Sequence, residues 1–280
     1  MKWLRSKAAK LAVLLARATR RGPSRLVSYS DKAPSPQNAV DIFATEWSSR
    51  FPVPLDGLVA GDTPLFQDSR VTWAIEQLGG VRGKSVLELG PLEGGHTYML
   101  DRAGAASVLA IEGSQDAFLK CLIAKEVVGI PSAQFAYGDF THYLDEAPRR
   151  FDVVFASGVL YHLLDPVRLI AKAAGISDAI FLWTMYYDHG LLTASQAHVH
   201  RLVRPVSADY EGFRYQLYRY DYMAALWHRK FCGGSYRYVY WMNRDDILRA
   251  LRHFGFSSIV VGFDEPHHPN GPAFGIVARK

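Results

Sequence analysis

The chain predicts an α/β fold: a Rossmann-like, doubly wound sheet, mostly parallel, with a C-terminal antiparallel hairpin and an aromatic-rich insertion after the fifth strand. Three observations carry this. Short apolar runs alternate with helical patterns from 85 to 184, the rhythm of a parallel sheet covered on both faces. The first run, Val86-Leu87-Glu88-Leu89, ends in the turn Gly90-Pro91-Leu92-Glu93-Gly94-Gly95 and opens a helix, which is how such sheets present a ligand site at a strand's carboxyl end. The chain closes as helix, strand, Pro/Gly-rich turn and strand.

Taken in order, Leu4, Ala8, Leu11 and Leu15 share one face of a basic helix over 3–19. That pattern suits either a helix lying on an anionic membrane or one packed on the domain. Its apolar stretch is too short, and too closely flanked by charge, for a signal peptide. Residues 22–40, with Pro23, Pro34 and Pro36, read as a linker. Val71, Ile75 and Leu78 predict a helix from about Ser69 to Gly79-Gly80, placing Arg70 and Trp73 near the sheet's ligand edge.

Strands are expected over 85–89, 107–111, 133–137, 151–156 and 179–184. Helices follow the second of these over 115–127 and the fourth over 166–174, the latter with Asp165 as N-cap and Pro166 in its first turn. The rhythm then breaks. Residues 185–241 hold ten of the fifteen tyrosines and read as a substrate-binding insertion, a hydrophobic lid or a dimer interface. A helix over 243–254 and strands over 258–263 and 273–278 complete the core. The domain division expected is 1–40 for the basic helix and linker, 41–184 with 242–280 for the core, and 185–241 for the insertion.

Length and composition fit one α/β domain with an insertion: 280 residues, 49% hydrophobic and 21% charged. The net charge of +5 is uneven, with eight basic residues and no acid in residues 1–25. The remainder is slightly acidic, so a broad nucleic-acid-binding face is the less favoured reading. The two cysteines, Cys121 and Cys232, lie in no metal-ligand or disulfide pattern. Cys121 sits on an apolar helical face and reads as core. No clear carboxylate cluster calls for a metal. The expected location is cytoplasmic, with the 3–19 helix the element that would rest on the inner face of a membrane.

Four strand ends carry polar or glycine signals: Glu88 to Gly95, Glu112, Asp139 and Ser157-Gly158. In a doubly wound sheet they line one crevice. Glu112 can accept both hydroxyls of a ribose, or serve as an acid at the next helix's N-terminus. Asp139 can accept from an exocyclic amine beside Phe140, or cap the short helix that follows. The turn lacks the middle glycine of a dinucleotide fingerprint and carries Glu93, which would repel a pyrophosphate but suit a cationic ligand.

The set Val86-Glu88-Gly90-Gly94, Glu112, Asp139 and the 151–156 strand resembles the class I S-adenosylmethionine-dependent methyltransferases over about residues 69–184, and the last helix and hairpin fit that family too. The resemblance implies S-adenosylmethionine as cofactor. Gly90, Pro91, Glu93 and Gly94 would flank its methionine part and Glu112 would hold the ribose, with Glu88 and Gly113 also among the cofactor-binding residues. Asp139 and Phe140 would meet the adenine, and Ser157 and Gly158 the sulfonium. Leu92 stands where the family usually has a glycine. Ser157-Gly158-Val159-Leu160-Tyr161-His162, with Asp68-Ser69-Arg70 and Trp73 upstream, resembles the branch that includes the tRNA wobble-uridine carboxymethyltransferases.

After the fourth strand there is no Asn/Asp-Pro-Pro-aromatic and no Pro-Cys, which sets aside planar-amine and cytosine-C5 acceptors. Oxygen or a non-planar amine remains. The expected acceptor is a small molecule or glycan, contacted by Arg70, Trp73, Tyr161, Tyr186, Tyr187 and Asp188, with His162 or His189 as base. His162 can equally be a structural histidine closing its loop. The alternatives are a tRNA-modifying transferase using a carboxylated donor, and a non-catalytic protein that binds cofactor or partner through the same crevice.

Overall fold

The computed structural model describes residues 29–146, 149–195, 205–227 and 233–280. The basic 3–19 segment and Cys232 lie outside them. Ten strands are described. The main sheet contains β1 (Ser85–Leu89), β2 (Ser107–Glu112), β3 (Ala133–Tyr137), β4 (Val153–Ser157), β5 (Ala179–Met185), β9 (Ser258–Glu265) and β10 (Ala273–Arg279). Their order is β3-β2-β1-β4-β5-β10-β9. β1 to β5 are parallel, and β10 runs antiparallel to both β5 and β9.

The helices are α1 (Pro36–Val40), α2 (Ser69–Gln77), α3 (Gly95–Arg102), α4 (Gln115–Val128), α5 (Phe140–Asp145), α6 (Pro166–Ile176), α7 (His189–Ser195) and α8 (Arg244–His253). Their starts follow from side-chain caps. Asp68, Ser114, Asp139, Asp165 and Asn243 each accept a backbone N–H of the helix they precede. Pro166 in the first turn of α6 gives up no hydrogen bond there.

The sheet is buried on both faces, which is why its strands read as nearly continuous apolar runs. Val86, Leu87, Leu89, Val153, Val154, Phe155 and Ala156 are fully buried. One layer joins α6 and α8 through Ile170, Ala173, Ile247 and Leu251. The other joins α2 and α3 through Val71, Ala74 and Leu100. A third cluster, Val40, Phe43, Trp47, Phe51 and Phe66 with Ala124, seats the 36–67 segment on α4. Cys121 is buried in α4 with Sγ against the Leu92 carbonyl, as its apolar face predicts.

The insertion is not irregular. β6 (Val206–Tyr210), β7 (Phe213–Asp221) and β8 (Tyr238–Trp241) form a separate antiparallel sheet. Phe213, Tyr215 and Leu217 pack in the α6/α8 layer, whereas Tyr220 and Tyr222 pack in the α2/α3 layer. Successive strand residues face opposite ways, so β7 gives Phe213, Tyr215 and Leu217 to one layer and, at its far end, Tyr220 to the other. The ribbon therefore crosses the main sheet's carboxyl edge. Its strands escaped the sequence reading because tyrosine-rich alternation with no fixed polar face masks the usual period-2 signal.

Candidate functional site

The turn after β1 begins at Gly90, whose φ of +68° turns the chain out of the strand. A Cβ there would lie 2.6 Å from Val159, so the first turn position has room only for glycine. Leu92 keeps a left-handed φ of 57° despite its side chain, a conformation that costs a non-glycine residue roughly 1–2 kcal/mol. Its N–H donates to Glu112 Oε2 at 3.0 Å. Ser114 N–H donates to Glu112 Oε1 at 2.8 Å. Each carboxylate oxygen thus has a backbone partner and keeps lone-pair capacity. Burial raises the Glu112 pKa, partly offset by the N–H groups of Ser114, Leu92 and Gly113.

Glu88, at the end of β1, is 2% exposed and accepts a hydrogen bond from the Thr97 hydroxyl of α3 at 2.5 Å. Burial pushes its pKa up to about 7, against the pull of His96 and of Thr97, with Glu112 adding to the rise. Asp139 accepts the Thr141 N–H and hydroxyl on Oδ1. It caps α5 and remains exposed, with Phe140 half-buried beside it. Ser157 ends β4 in register with Trp183 of β5. Gly158 follows with φ of +79°, and its N–H donates to the Trp183 carbonyl at 2.8 Å.

Around Trp183 lies a cluster in which only Arg70 was among the expected site residues. Asp68 takes the Arg70 Nε and Nη2 donors and pairs with His96 Nε2 at 3.0 Å. Burial alone would raise the Asp68 carboxyl, but the hydrogen bonds and charges of His96 and Arg70 hold it well below the usual carboxylate range. The Arg70 guanidinium lies 4.3 Å from the Trp183 ring centroid, and His268 of the β9–β10 loop meets the same ring edge-on at 5.5 Å. Burial lowers the His268 pKa, and nearby Arg70 lowers it further. The signal available in sequence was Asp68 two residues before Arg70, with His96 opening α3.

From Trp183 an aromatic chain runs into the insertion. Tyr161 meets Trp183 at 6.2 Å and Trp241 at 6.3 Å. Trp241 stacks on Tyr220 at 4.6 Å, Tyr220 meets Tyr222, and the Tyr222 hydroxyl lies 2.5 Å from His162 Nδ1. Burial lowers the His162 pKa to about 4, keeping the imidazole neutral near pH 7.

Five expected site residues are used differently. The Glu93 carboxylate accepts from Ser48 N–H and Ser49 N–H and pairs with Lys120 at 3.2 Å. It anchors the 36–67 segment instead of presenting its charge to a ligand. Trp73 packs on Phe181 and Phe263, and a Cβ on Gly262 would lie 2.5 Å from its ring, so it supports the hairpin. Tyr186 is 4% exposed in the α6/α8 layer, edge-on to Phe274. Asp188 caps α7 through the Leu191 N–H. Tyr187 stacks on Tyr218 at 3.5 Å and bonds exposed His189. The sequence placed 186–189 at the correct strand edge, but the side chains alternate between layers and a cap. The structure brings Glu88, the Gly90–Gly94 turn, Glu112 with Gly113, Asp139 with Phe140, and Ser157-Gly158 to one edge of the sheet.

Residues 87–177 match the family described as Methyltransferase domain. The N-terminal domain of EvdMO1, solved in the presence of S-adenosylhomocysteine and D-fucose, superposes with a TM-score of 0.65 at 24% identity, over 87% of this chain and 94% of that one. The magnesium protoporphyrin IX methyltransferase of Synechocystis PCC 6803, solved with bound S-adenosylmethionine, gives 0.51 at 17% identity, over 90% and 100%. A tRNA U34 carboxymethyltransferase of Psychrobacter arcticus is 29% identical over 121 residues, 41% of this chain and 35% of that protein. The match therefore spans about a third of that curated relative's length. Fold and matched segment agree: this is the class I S-adenosylmethionine-dependent methyltransferase fold. Among the described residues, no group of His, Cys, Asp and Glu is arranged to hold a metal ion.

Proposed function

We propose that this chain is an S-adenosylmethionine-dependent methyltransferase acting on an oxygen of a small molecule or glycan. The observation that carries the reading is Glu112: buried at a strand end, fixed by Leu92 N–H and Ser114 N–H, and able to accept further bonds. A ribose diol is the ligand that such an acid at the second strand recognises. In this reading Glu88, Gly90, Pro91 and Gly94 border the methionine part, Gly113 the ribose, Asp139 and Phe140 the adenine, and Ser157 and Gly158 the sulfonium.

Methyl transfer is an in-line displacement. Holding donor and acceptor in line accounts for roughly 7–11 kcal/mol of barrier reduction in well-oriented systems. The chain's contribution is a rigid edge: the Gly90–Gly94 turn on one side, and the Tyr161-His162 turn under the insertion on the other. The fold shared with a domain solved beside D-fucose supports a small polyol-like acceptor. Calorimetric titration with S-adenosylhomocysteine is the test. Tight binding that Glu112→Ala weakens by about two orders of magnitude is expected, and no binding to the wild type would overturn the reading.

Arg70 favours a second reading, a carboxylated donor and a tRNA acceptor. Stacked on Trp183, the strand partner of Ser157, it is a cation on the side of the crevice assigned to the sulfonium. The curated relatives named for tRNA U34 support it. Asp68 neutralises much of that charge, which ranks this reading second. Tighter binding of the carboxylated donor than of S-adenosylmethionine would reverse the order. The basic 3–19 segment is proposed to rest on anionic membrane, and sedimentation with anionic vesicles, lost on deleting residues 1–25, tests it.

A further inference from the structure

We propose that Tyr222, brought in by the insertion, is a positioning residue for His162: its phenol oxygen accepts the Nδ1–H, leaving the Nε2 lone pair to receive the proton of the hydroxyl being methylated. The proposal rests on the O-methylation reading and gives the insertion a part in the chemistry.

Two features fix the pair. His162 closes a short 3-10 turn, Leu160–His162, with its own N–H bonded to the Val159 carbonyl. Its ring lies 4.1 Å from that of Tyr161, whose hydroxyl reaches within 3.6 Å of where a Cβ on Gly158 would stand. The Tyr161-His162 turn therefore folds back over Gly158, at the end of β4. From the other side, Tyr222 is 5% exposed, donates its N–H to the Arg237 carbonyl and packs edge-on to Tyr220. A second tie joins the same elements, since Tyr240 N–H of β8 donates to the Leu163 carbonyl at 3.0 Å. The insertion thus grips this turn through a side chain and through the backbone.

A neutral imidazole carries one proton, and the bond at one nitrogen decides which nitrogen is basic. With Nδ1–H donated to Tyr222, Nε2 is the acceptor. In the reaction the hydroxyl oxygen forms the C–O bond while the S–CH₃ bond breaks and its electron pair stays on sulfur. The hydroxyl proton passes to Nε2, and the imidazolium later releases a proton to solvent. An oxygen receiving a methyl cation becomes a far stronger acid than the free alcohol, so even a weakly basic imidazole suffices once positioned.

The test uses the full chain with isotope-labelled imidazole nitrogens, observed by long-range proton–nitrogen NMR near neutral pH. His162 is assigned by its loss in His162→Gln. The Nδ1–H tautomer is expected in the wild type, moving toward Nε2–H in Tyr222→Phe. Diethyl pyrocarbonate mapping should modify His162 in the wild type, with modification suppressed by saturating S-adenosylhomocysteine. An Nε2–H tautomer in the wild type, or no change in Tyr222→Phe, overturns the proposal. Unreactive His162 with the expected tautomer also overturns it, because the bond would then be only structural. Absence of S-adenosylhomocysteine binding in calorimetry reports failure of the cofactor reading instead, and the tautomer measurement does not depend on it.

Discussion

The Leu92 N–H donates to Glu112 Oε2 at 3.0 Å, so the turn after β1 and the acid that ends β2 are one rigid piece. The bond requires Leu92 in its left-handed conformation. It holds the turn at the position where the methyltransferases that this segment resembles usually carry their middle glycine.

Glu112→Ala tests this unit. It removes the proposed diol acceptor and leaves the N–H groups of Leu92 and Ser114 without their carboxylate. Hydrogen bonds to charged groups are worth roughly 1.5–3 kcal/mol each. Calorimetry should therefore show S-adenosylhomocysteine affinity falling by about two orders of magnitude. Unchanged affinity would remove Glu112 from the site.

Trp73 yields a prediction of the opposite kind. Its ring fills the space left by Gly262 and Gly275 of the hairpin. Trp73→Ala should destabilise by less than the roughly 3–5 kcal/mol that a fully buried large aromatic costs, because the ring is only half-buried, while the folded fraction binds S-adenosylhomocysteine as before. Denaturant midpoints and calorimetry separate the two effects. An acceptor-binding defect with wild-type stability would restore Trp73 to the site.

That contrast shows what was legible in the sequence. Strand periods and cap residues are local, and Asp165, Asn243 and the 85–89 strand are found where short-range chemistry puts them. Strand ends converge by topology, so the parallel order puts Glu88, Glu112, Asp139 and Ser157 along one edge of the sheet. Side-chain direction is not local. Glu93 is captured by Ser48 and Ser49, 45 and 44 residues away, and Tyr222 meets His162 across 60 residues. No spacing rule announces such pairs.

The Glu93–Lys120 pair leads to a third prediction. Lys120 Nζ also donates to the Glu46 carbonyl and lies over the rings of Phe43 and Trp47. Glu93→Ala would leave a buried ammonium without its carboxylate, which typically costs roughly 3–5 kcal/mol. The 36–67 segment should then become the first site of limited proteolysis. Glu93→Gln combined with Lys120→Met should recover part of the loss. Equal protease resistance in wild type and Glu93→Ala would show that the aromatic cluster holds the segment by itself.

Glu88 gives the pH dependence. Its pKa is about 7 in the folded chain, against a reference value of 4.5, so between those values the folded state binds more protons than the unfolded one. Stability then falls as pH rises through this window, because ionising Glu88 in place is unfavourable. The interval corresponds to roughly 3 kcal/mol. Other carboxylates act in the reverse sense, Asp68 among them: its lowered pKa adds stability above its unfolded value that is lost as pH falls. The test is therefore a difference between variants. Glu88→Gln keeps an acceptor for the Thr97 hydroxyl and cannot ionise, so it should lose little near pH 5 and gain on the wild type toward pH 8. Parallel stability profiles for the two proteins would mean that Glu88 titrates normally, and that the polar groups around it, His96 above all, stabilise its charge more than its burial penalises it.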